Sequence, residues 1–144
     1  MQVALACARL HRHQWSMPLG RLRLYQFRCF DNVTIDLPHG AEMVAFVGPN
    51  AAGKTSILEA ICVLLRLQSP RASAVGELIR FEQEKAAVEG VLGDATLRWV
   101  QSGKARRLSV DGERCGRSAD YLQHSGLVVW LGNDDIQLIR GGGD

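Results

Sequence analysis

The chain has 144 residues, 47% hydrophobic and 22% charged, with a formal net charge of +2. That is enough chain for one domain with a real core, and its longest uncharged apolar stretch, around Ile61 to Leu65, is far too short to cross a bilayer. The four cysteines, Cys7, Cys29, Cys62 and Cys115, form no CxxC pair, which argues against a metal knuckle or a disulfide framework and for reduced thiols.

Residues 1–20 show no clear period and read as a poorly ordered leader. Val3 to Ala8 is too short for a secretory core and has no basic residue before it, so a signal peptide is rejected. Met17 competes with Met1 as the start of translation; N-terminal mass spectrometry of the native protein decides between them. From Leu22 to Phe27 a strand is expected, then a turn at Asp31-Asn32, then a half-buried strand in which Val33, Ile35 and Leu37 alternate with Thr34 and Asp36. Pro38-His39-Gly40 breaks the chain. Met43 to Val47 is five apolar residues in a row, which predicts a core strand of a parallel sheet buried on both faces.

The next eight residues are Gly48-Pro49-Asn50-Ala51-Ala52-Gly53-Lys54-Thr55, the G-x-x-x-x-G-K-[ST] pattern of a phosphate-binding loop. The chemistry explains the spacing. Successive backbone N–H groups curl round an anion, and the glycines keep Cβ atoms out of the turn. The following helix aims its positive dipole end at the phosphates. Lys54 would reach the β- and γ-phosphates of a nucleoside triphosphate, and the Thr55 hydroxyl would hold Mg²⁺, with Ser56 beside it. Ile57, Leu58, Ile61, Leu64 and Leu65 recur at helical spacing, with Lys54, Glu59 and Arg66 polar. Strand, loop and helix therefore come in the order that a nucleotide site requires.

Beyond Ser69-Pro70-Arg71, Val75 to Phe81 reads as a short helix with Leu78, Ile79 and Phe81 as its apolar face. Ala86–Leu92, Ala95–Val100 and Arg107–Val110, separated by Gly93-Asp94, Ser102-Gly103 and Asp111-Gly112, predict a small antiparallel meander. Leu127 to Leu131 is a further buried strand. The organisation is core strands and phosphate loop over 21–68, a lobe over 69–125 and a return strand over 126–140.

Hydrolysis needs a carboxylate in the Mg²⁺ shell and a base or positioned water. Asp134 and Asp135 follow the Leu127–Leu131 run, but Gly132-Asn133 displaces them from the strand end. The competing reading is a turn before Ile136–Ile139, with Asp134 as its cap. No guanine-reading Asn-Lys-x-Asp motif is present. The sequence stops soon after a glycine run without strands to finish the sheet, so the front part of a longer protein is expected.

Several segments carry a resemblance. Leu24-Tyr25-Gln26-Phe27-Arg28-Cys29-Phe30, the Gly-Pro-Asn-x-x-Gly-Lys-Thr loop and Ser56-Ile57-Leu58-Glu59-Ala60-Ile61 together resemble the ATPase head of SMC and ABC type found in DNA-repair proteins. Ser69-Pro70-Arg71, Glu77-Leu78-Ile79-Arg80-Phe81 and Asp134-Asp135-Ile136-Gln137-Leu138-Ile139-Arg140-Gly141 resemble, in the same order, segments of the RecF family of DNA replication and repair proteins. The likeness runs from about Arg21 to Asp144. It implies an α/β P-loop NTPase head, here incomplete, with a mixed sheet around the phosphate-loop helix and a small antiparallel meander.

The resemblance also implies a cytoplasmic ATP- and Mg²⁺-binding protein of recombinational repair and the SOS response. Such a protein binds single-stranded and duplex or gapped DNA, pairs its heads as an ATP-dependent homodimer and helps recombination mediators load recombinase. The family's signature segment and Mg²⁺-carboxylate strand would lie beyond residue 144, so this chain is expected to bind ATP and hydrolyse little. Three positions depart from the family pattern. Ala51 replaces a usual glycine, which predicts φ < 0 there; Asn133-Asp134-Asp135 replaces a Pro-Glu-Asp-like stretch, and Pro70 an aromatic residue.

The resemblance places Arg28 at the nucleotide, against the plainer reading of a solvated arginine. Arg71 is a candidate for DNA or for the γ-phosphate of a partner head, and Gln137 for a sensor near Mg²⁺. Lys104, Arg106, Arg107, Arg114 and Arg117 are either a phosphate-binding patch for DNA or a solvated hairpin edge. Cys29, Cys62, Trp99 and Trp130 are assigned to packing. Two rival readings stand beside this one: a self-contained small P-loop NTPase or kinase using Asp134 or Asp135, and a module in which nucleotide is purely structural.

Overall fold

A computed structural model of the chain describes residues 6–8, 19–38, 40–41 and 43–132. In order these form β1 (Ala6–Ala8), β2 (Leu19–Phe27), β3 (Phe30–Asp36), α1 (Lys54–Arg66), a 3₁₀ turn (Val75–Leu78) and β4 (Lys85–Leu92). There follow β5 (Ala95–Ser102), β6 (Ala105–Val110), β7 (Glu113–Cys115), α2 (Ser118–Leu122) and β8 (Leu127–Val129). Six strands make one sheet in the order β3-β2-β4-β5-β6-β7, and β1 and β8 make a two-stranded ribbon. The class is α/β, but every pairing among the described strands is antiparallel, which corrects the mixed sheet to an antiparallel one.

The register sorts the sheet's two faces. One face carries the rows Ile35–Leu22–Gly90–Leu97–Val110 and Val33–Leu24–Val88–Trp99–Leu108–Cys115. Leu22, Leu24, Val88, Leu97 and Trp99 in these rows are wholly buried, each contributing about 1.5–3 kcal/mol of apolar transfer. α1 packs on this face against β2, β4 and β5. Gly90 lets it come close: a Cβ there would lie 2.5 Å from Leu64 Cδ2 and 2.9 Å from Leu19 Cδ1. Phe27 and Trp99 meet edge to face at 6.4 Å, and the buried Tyr121 hydroxyl of α2 donates to Leu64 O at 2.8 Å.

The meander forms where the turn residues predict it. Asp111 and Gly112, both at positive φ, make the tight β6–β7 link, and Gly93 at φ 62 opens the β4–β5 one. The β5–β6 turn is Gly103-Lys104, one residue later than expected.

Five expectations need correction. The turn joining β2 and β3 is Arg28-Cys29, with Arg28 at φ 53, while Asp31 and Asn32 lie inside β3. Leu19 and Gly20 belong to β2 and Ala6–Ala8 to a strand, so strand geometry extends into the expected leader over 1–20. The helix expected over Val75–Phe81 is a single 3₁₀ turn, because Ile79 leaves it to bridge Phe27; Phe81 is 86% exposed.

Met43–Val47, the expected buried strand, pairs with no described strand, and Val47 is 92% exposed. A parallel strand is buried only between hydrogen-bonded neighbours, and the described strands all lie in the antiparallel sheet or the ribbon. Leu127–Leu131 likewise buries only Val128 deeply, with Leu127, Val129 and Leu131 exposed. No helix among the described residues is long and apolar enough to cross a membrane.

Candidate functional site

α1 begins at Lys54, with Gly53 as N-cap at φ 85 and ψ 6. No side chain caps it, and its first turn holds no acidic residue. The first N–H groups of any helix have no intrahelical acceptor, and here nothing offsets the positive end of the dipole. A helix mouth of this kind can receive an anion. This one opens on a cleft of about 710 Å³ lined by Gly48 and residues 50–56, with Cys29, Phe46, Val47 and Arg71 on its walls.

The loop geometry depends on close packing. A Cβ at Gly53 would stand 2.5 Å from Phe30 Cζ and 2.8 Å from Cys29 Sγ, so the β2–β3 hairpin seats directly on the loop. Ala51 adopts φ 64, not the negative φ expected for an alanine in a glycine's place. The loop imposes its left-handed turn, and the methyl group costs about 1–2 kcal/mol. Lys54 Nζ folds over the loop, donating to Gly48 O at 2.8 Å and Pro49 O at 2.5 Å. The ammonium thus sits beside the mouth, and the side chains of Asn50, Thr55 and Ser56 line the same cleft. None of the described lining residues is a carboxylate.

One turn further along α1 lies a residue whose importance the sequence hid. Glu59 is 0% exposed. Its Oε2 accepts from Arg28 Nε at 2.9 Å, and its Oε1 from Arg28 Nη2 at 2.7 Å and from Ser69 Oγ at 2.5 Å. The hydrogen bond to Glu59 is the main cause that raises Arg28 above the ordinary guanidinium range, against desolvation. Arg28, expected at the nucleotide, is therefore spent on Glu59 and is absent from the cleft's lining. Arg71 does line the cleft, with Nη1 3.8 Å from Glu59 Oε2. The signal that could have found Glu59 is a lone acid flanked on both sides by apolar residues of a helix.

The basic residues of the meander do not form one patch. Arg106 projects on the α1 side of the sheet and donates to Ser118 Oγ at 2.8 Å. Arg117 is tied to Asp120 at 2.9 Å, and that hydrogen bond holds the Asp120 carboxyl below its usual range. Lys104 occupies a turn. Arg107 and Arg114 belong instead to the sheet's other face, where the rows run Thr34–Arg23–Glu89–Arg98–Ser109–Arg114 and Asn32–Tyr25–Ala87–Val100–Arg107. This outer face holds a hollow of about 300 Å³ between Arg23, Tyr25, Lys85, Glu89 and Arg98.

Cys62 and Trp99 are buried, and Trp130 is half-buried against the core, as packing residues should be. Cys29 is not one of them: it is exposed and borders the cleft. Asp134, Asp135 and Gln137 lie outside the described residues.

Three comparisons bear on this arrangement. The family model described as AAA domain matches residues 21–126. The DNA replication and repair protein RecF of Halalkalibacterium halodurans is 33% identical over 129 residues, covering 87% of this chain and 34% of that protein. The chain thus spans about a third of the length of the curated relatives it matches. Among solved structures, the recombination mediator protein RecF-ATPrS in the RecFOR pathway superposes with a TM-score of 0.66 at 22% identity, over 90% of this chain and 36% of that one. A structure from work on ATP-driven dimerization and DNA-stimulated activation of SMC ATPases gives 0.63 at 24% identity, over 74% and 78%. At that identity the structural likeness speaks for the fold.

Proposed function

Because this chain belongs to the AAA domain family, whose model spans residues 21–126, we propose that it binds magnesium–ATP at the mouth of α1, as the nucleotide-binding part of a RecF-type ATPase of DNA replication and recombinational repair. The observation that carries this reading is the uncapped, acid-free first turn of α1 behind a left-handed Gly53, with Lys54 folded beside it. The residues fit the group. Backbone N–H groups of residues 51–56 would face the phosphates, the Lys54 ammonium would supply a positive charge, and Thr55 Oγ would join Mg²⁺ held by the nucleotide itself. Magnesium–ATP supplies the polarised phosphoryl group, and this chain's own residues bind and orient it. Among the described residues no carboxylate lines the cleft, and turnover by this chain alone is expected to be little or none. Calorimetric titration with magnesium–ATP tests the assignment: binding with one site, lost in Lys54→Ala, is expected, and uptake unaffected by that substitution refutes it.

Kinship with RecF proteins supports a wider role. In this reading the protein is cytoplasmic, pairs with a second head around nucleotide, and engages single-stranded and duplex or gapped DNA with recombination mediators in recombinase loading and the SOS response. The outer face of the sheet is the surface best suited to DNA. Arg23, Lys85, Arg98, Arg107 and Arg114 share it with one acid of its central rows, Glu89. From β2 to β7 it spans four strand spacings, about 19 Å, or roughly half a turn of duplex. Arg71, Lys104 and Arg106, the residues expected to bind DNA together with Arg107, are spread over other surfaces. Binding of gapped duplex should weaken with salt, and each phosphate contact removed should flatten the log–log slope by about 0.9. Arg107→Ala and Arg98→Ala should flatten it while Arg106→Ala leaves it unchanged; the opposite ranking refutes the outer face.

The self-contained kinase reading rests on Asp134 and Asp135. Loss of turnover in Asp135→Asn would favour it. A readout indifferent to Lys54→Ala, with only stability changed, would favour a purely structural nucleotide.

A further inference from the structure

A wholly buried carboxylate is costly to ionise unless donors surround it, and Glu59 draws its donors from two separate segments. Arg28 belongs to the β2–β3 turn, whose backbone N–H is itself fixed to Leu78 O at 2.9 Å. Ser69 belongs to the segment after α1, and its hydroxyl works in both directions. It donates to Glu59 at 2.5 Å and accepts the backbone N–H groups of Arg71 at 3.0 Å and Ala72 at 2.7 Å. The hydroxyl therefore dictates where the backbone of Arg71 turns. The Arg71 side chain, 47% exposed, then lies along the phosphate cleft, its guanidinium 3.8 Å from Glu59.

We propose that Glu59 is a positioning residue for the nucleotide site, acting through Ser69 to hold Arg71 in the cleft as a second cation for the polyphosphate. Two observations separate this from a role in packing alone. The Ser69 hydroxyl is committed to Arg71's own backbone. The Arg28 bond to Glu59 is bidentate and short, whereas the Arg71 contact is long. Arg28 thus anchors the carboxylate, and Arg71 remains able to turn toward a phosphate while Ser69 keeps its backbone in place. The selectivity should grow with phosphate charge, because a cation beside the chain of phosphates gains more from three than from two. This inference rests on the nucleotide-binding reading above.

The test is a set of dissociation constants for magnesium–ATP and magnesium–ADP, with the ratio between them as readout. Arg71→Ala should lower the preference for ATP about tenfold, the worth of one charge-assisted hydrogen bond. Ser69→Ala and Glu59→Gln should each lower it nearly as far, and the double variant S69A/R71A should be no worse than Arg71→Ala. Equal weakening of ATP and ADP by Ser69→Ala, an unchanged ratio in Arg71→Ala, or additive effects in the double variant would overturn the proposal. Ser69→Ala decides the matter alone if Glu59→Gln fails to fold. Failure of the unsubstituted chain to bind either nucleotide would instead overturn the underlying reading, and this inference with it.

Discussion

At its first turn α1 points backbone donors into an open cleft, with no cap and no acid. One turn later Glu59 is enclosed and accepts hydrogen bonds from Arg28 and Ser69. The same helix thus leaves polar groups available at its mouth and satisfies them completely in its body. A helix end with unsatisfied donors is tolerated where it faces solvent or a ligand, whereas a buried charge without partners is not. The mouth is where binding energy can be gained, and the body is what keeps the mouth in place.

The sharpest way to break this contrast is Glu59→Ala, which leaves Arg28 partly buried without its anion. Loss of about 3 kcal/mol is expected, measured by urea denaturation. Gly53→Ala attacks the mouth instead: the left-handed φ and the contacts with Phe30 and Cys29 should cost about 2 kcal/mol and abolish ATP binding in the same titration. Tyr121→Phe removes the hydrogen bond to Leu64 O at the far end of the helix and should cost about 1 kcal/mol.

Burial raises the Tyr121 phenol above its ordinary value of 10.0, with Cys115 adding to the effect. The folded chain therefore keeps a proton that the unfolded chain gives up above about pH 10, and stability should fall as pH rises through that value. Thermal melts of Tyr121→Phe between pH 9 and 11 should lack that residue's share of the decline. The smallest effect belongs to Ala51→Gly, which relieves the left-handed alanine but loosens the unfolded chain. A gain of less than about 1 kcal/mol is expected, seen as a small rise in melting temperature.

The mouth was legible in the sequence because its spacing follows from backbone geometry alone, and the meander because Gly93, Gly103 and Gly112 mark turns between alternating strands. Glu59 was not, since an acid between Lys54 and Arg66 looks like part of a solvated stripe; only tertiary packing showed that it faces inward. The Arg28-Cys29 turn left no trace because a non-glycine residue takes the positive φ there, while Asp31-Asn32 supplied a false turn signal. Met43–Val47 satisfied the pattern of a buried strand, but burial depends on neighbours that no local pattern contains. The outer basic face was hidden for a related reason: Arg23, Arg98 and Arg114 are distant in sequence and share one row only through the register.

The most direct test of the account is the response of backbone amides to magnesium–ATP, followed by ¹H–¹⁵N correlation spectra. The largest shifts should fall on Ala52, Gly53, Lys54 and Thr55, with smaller ones at Arg71. Shifts confined to other parts of the chain, or none at all in a folded sample, would contradict the claim that the mouth of α1 grips a triphosphate.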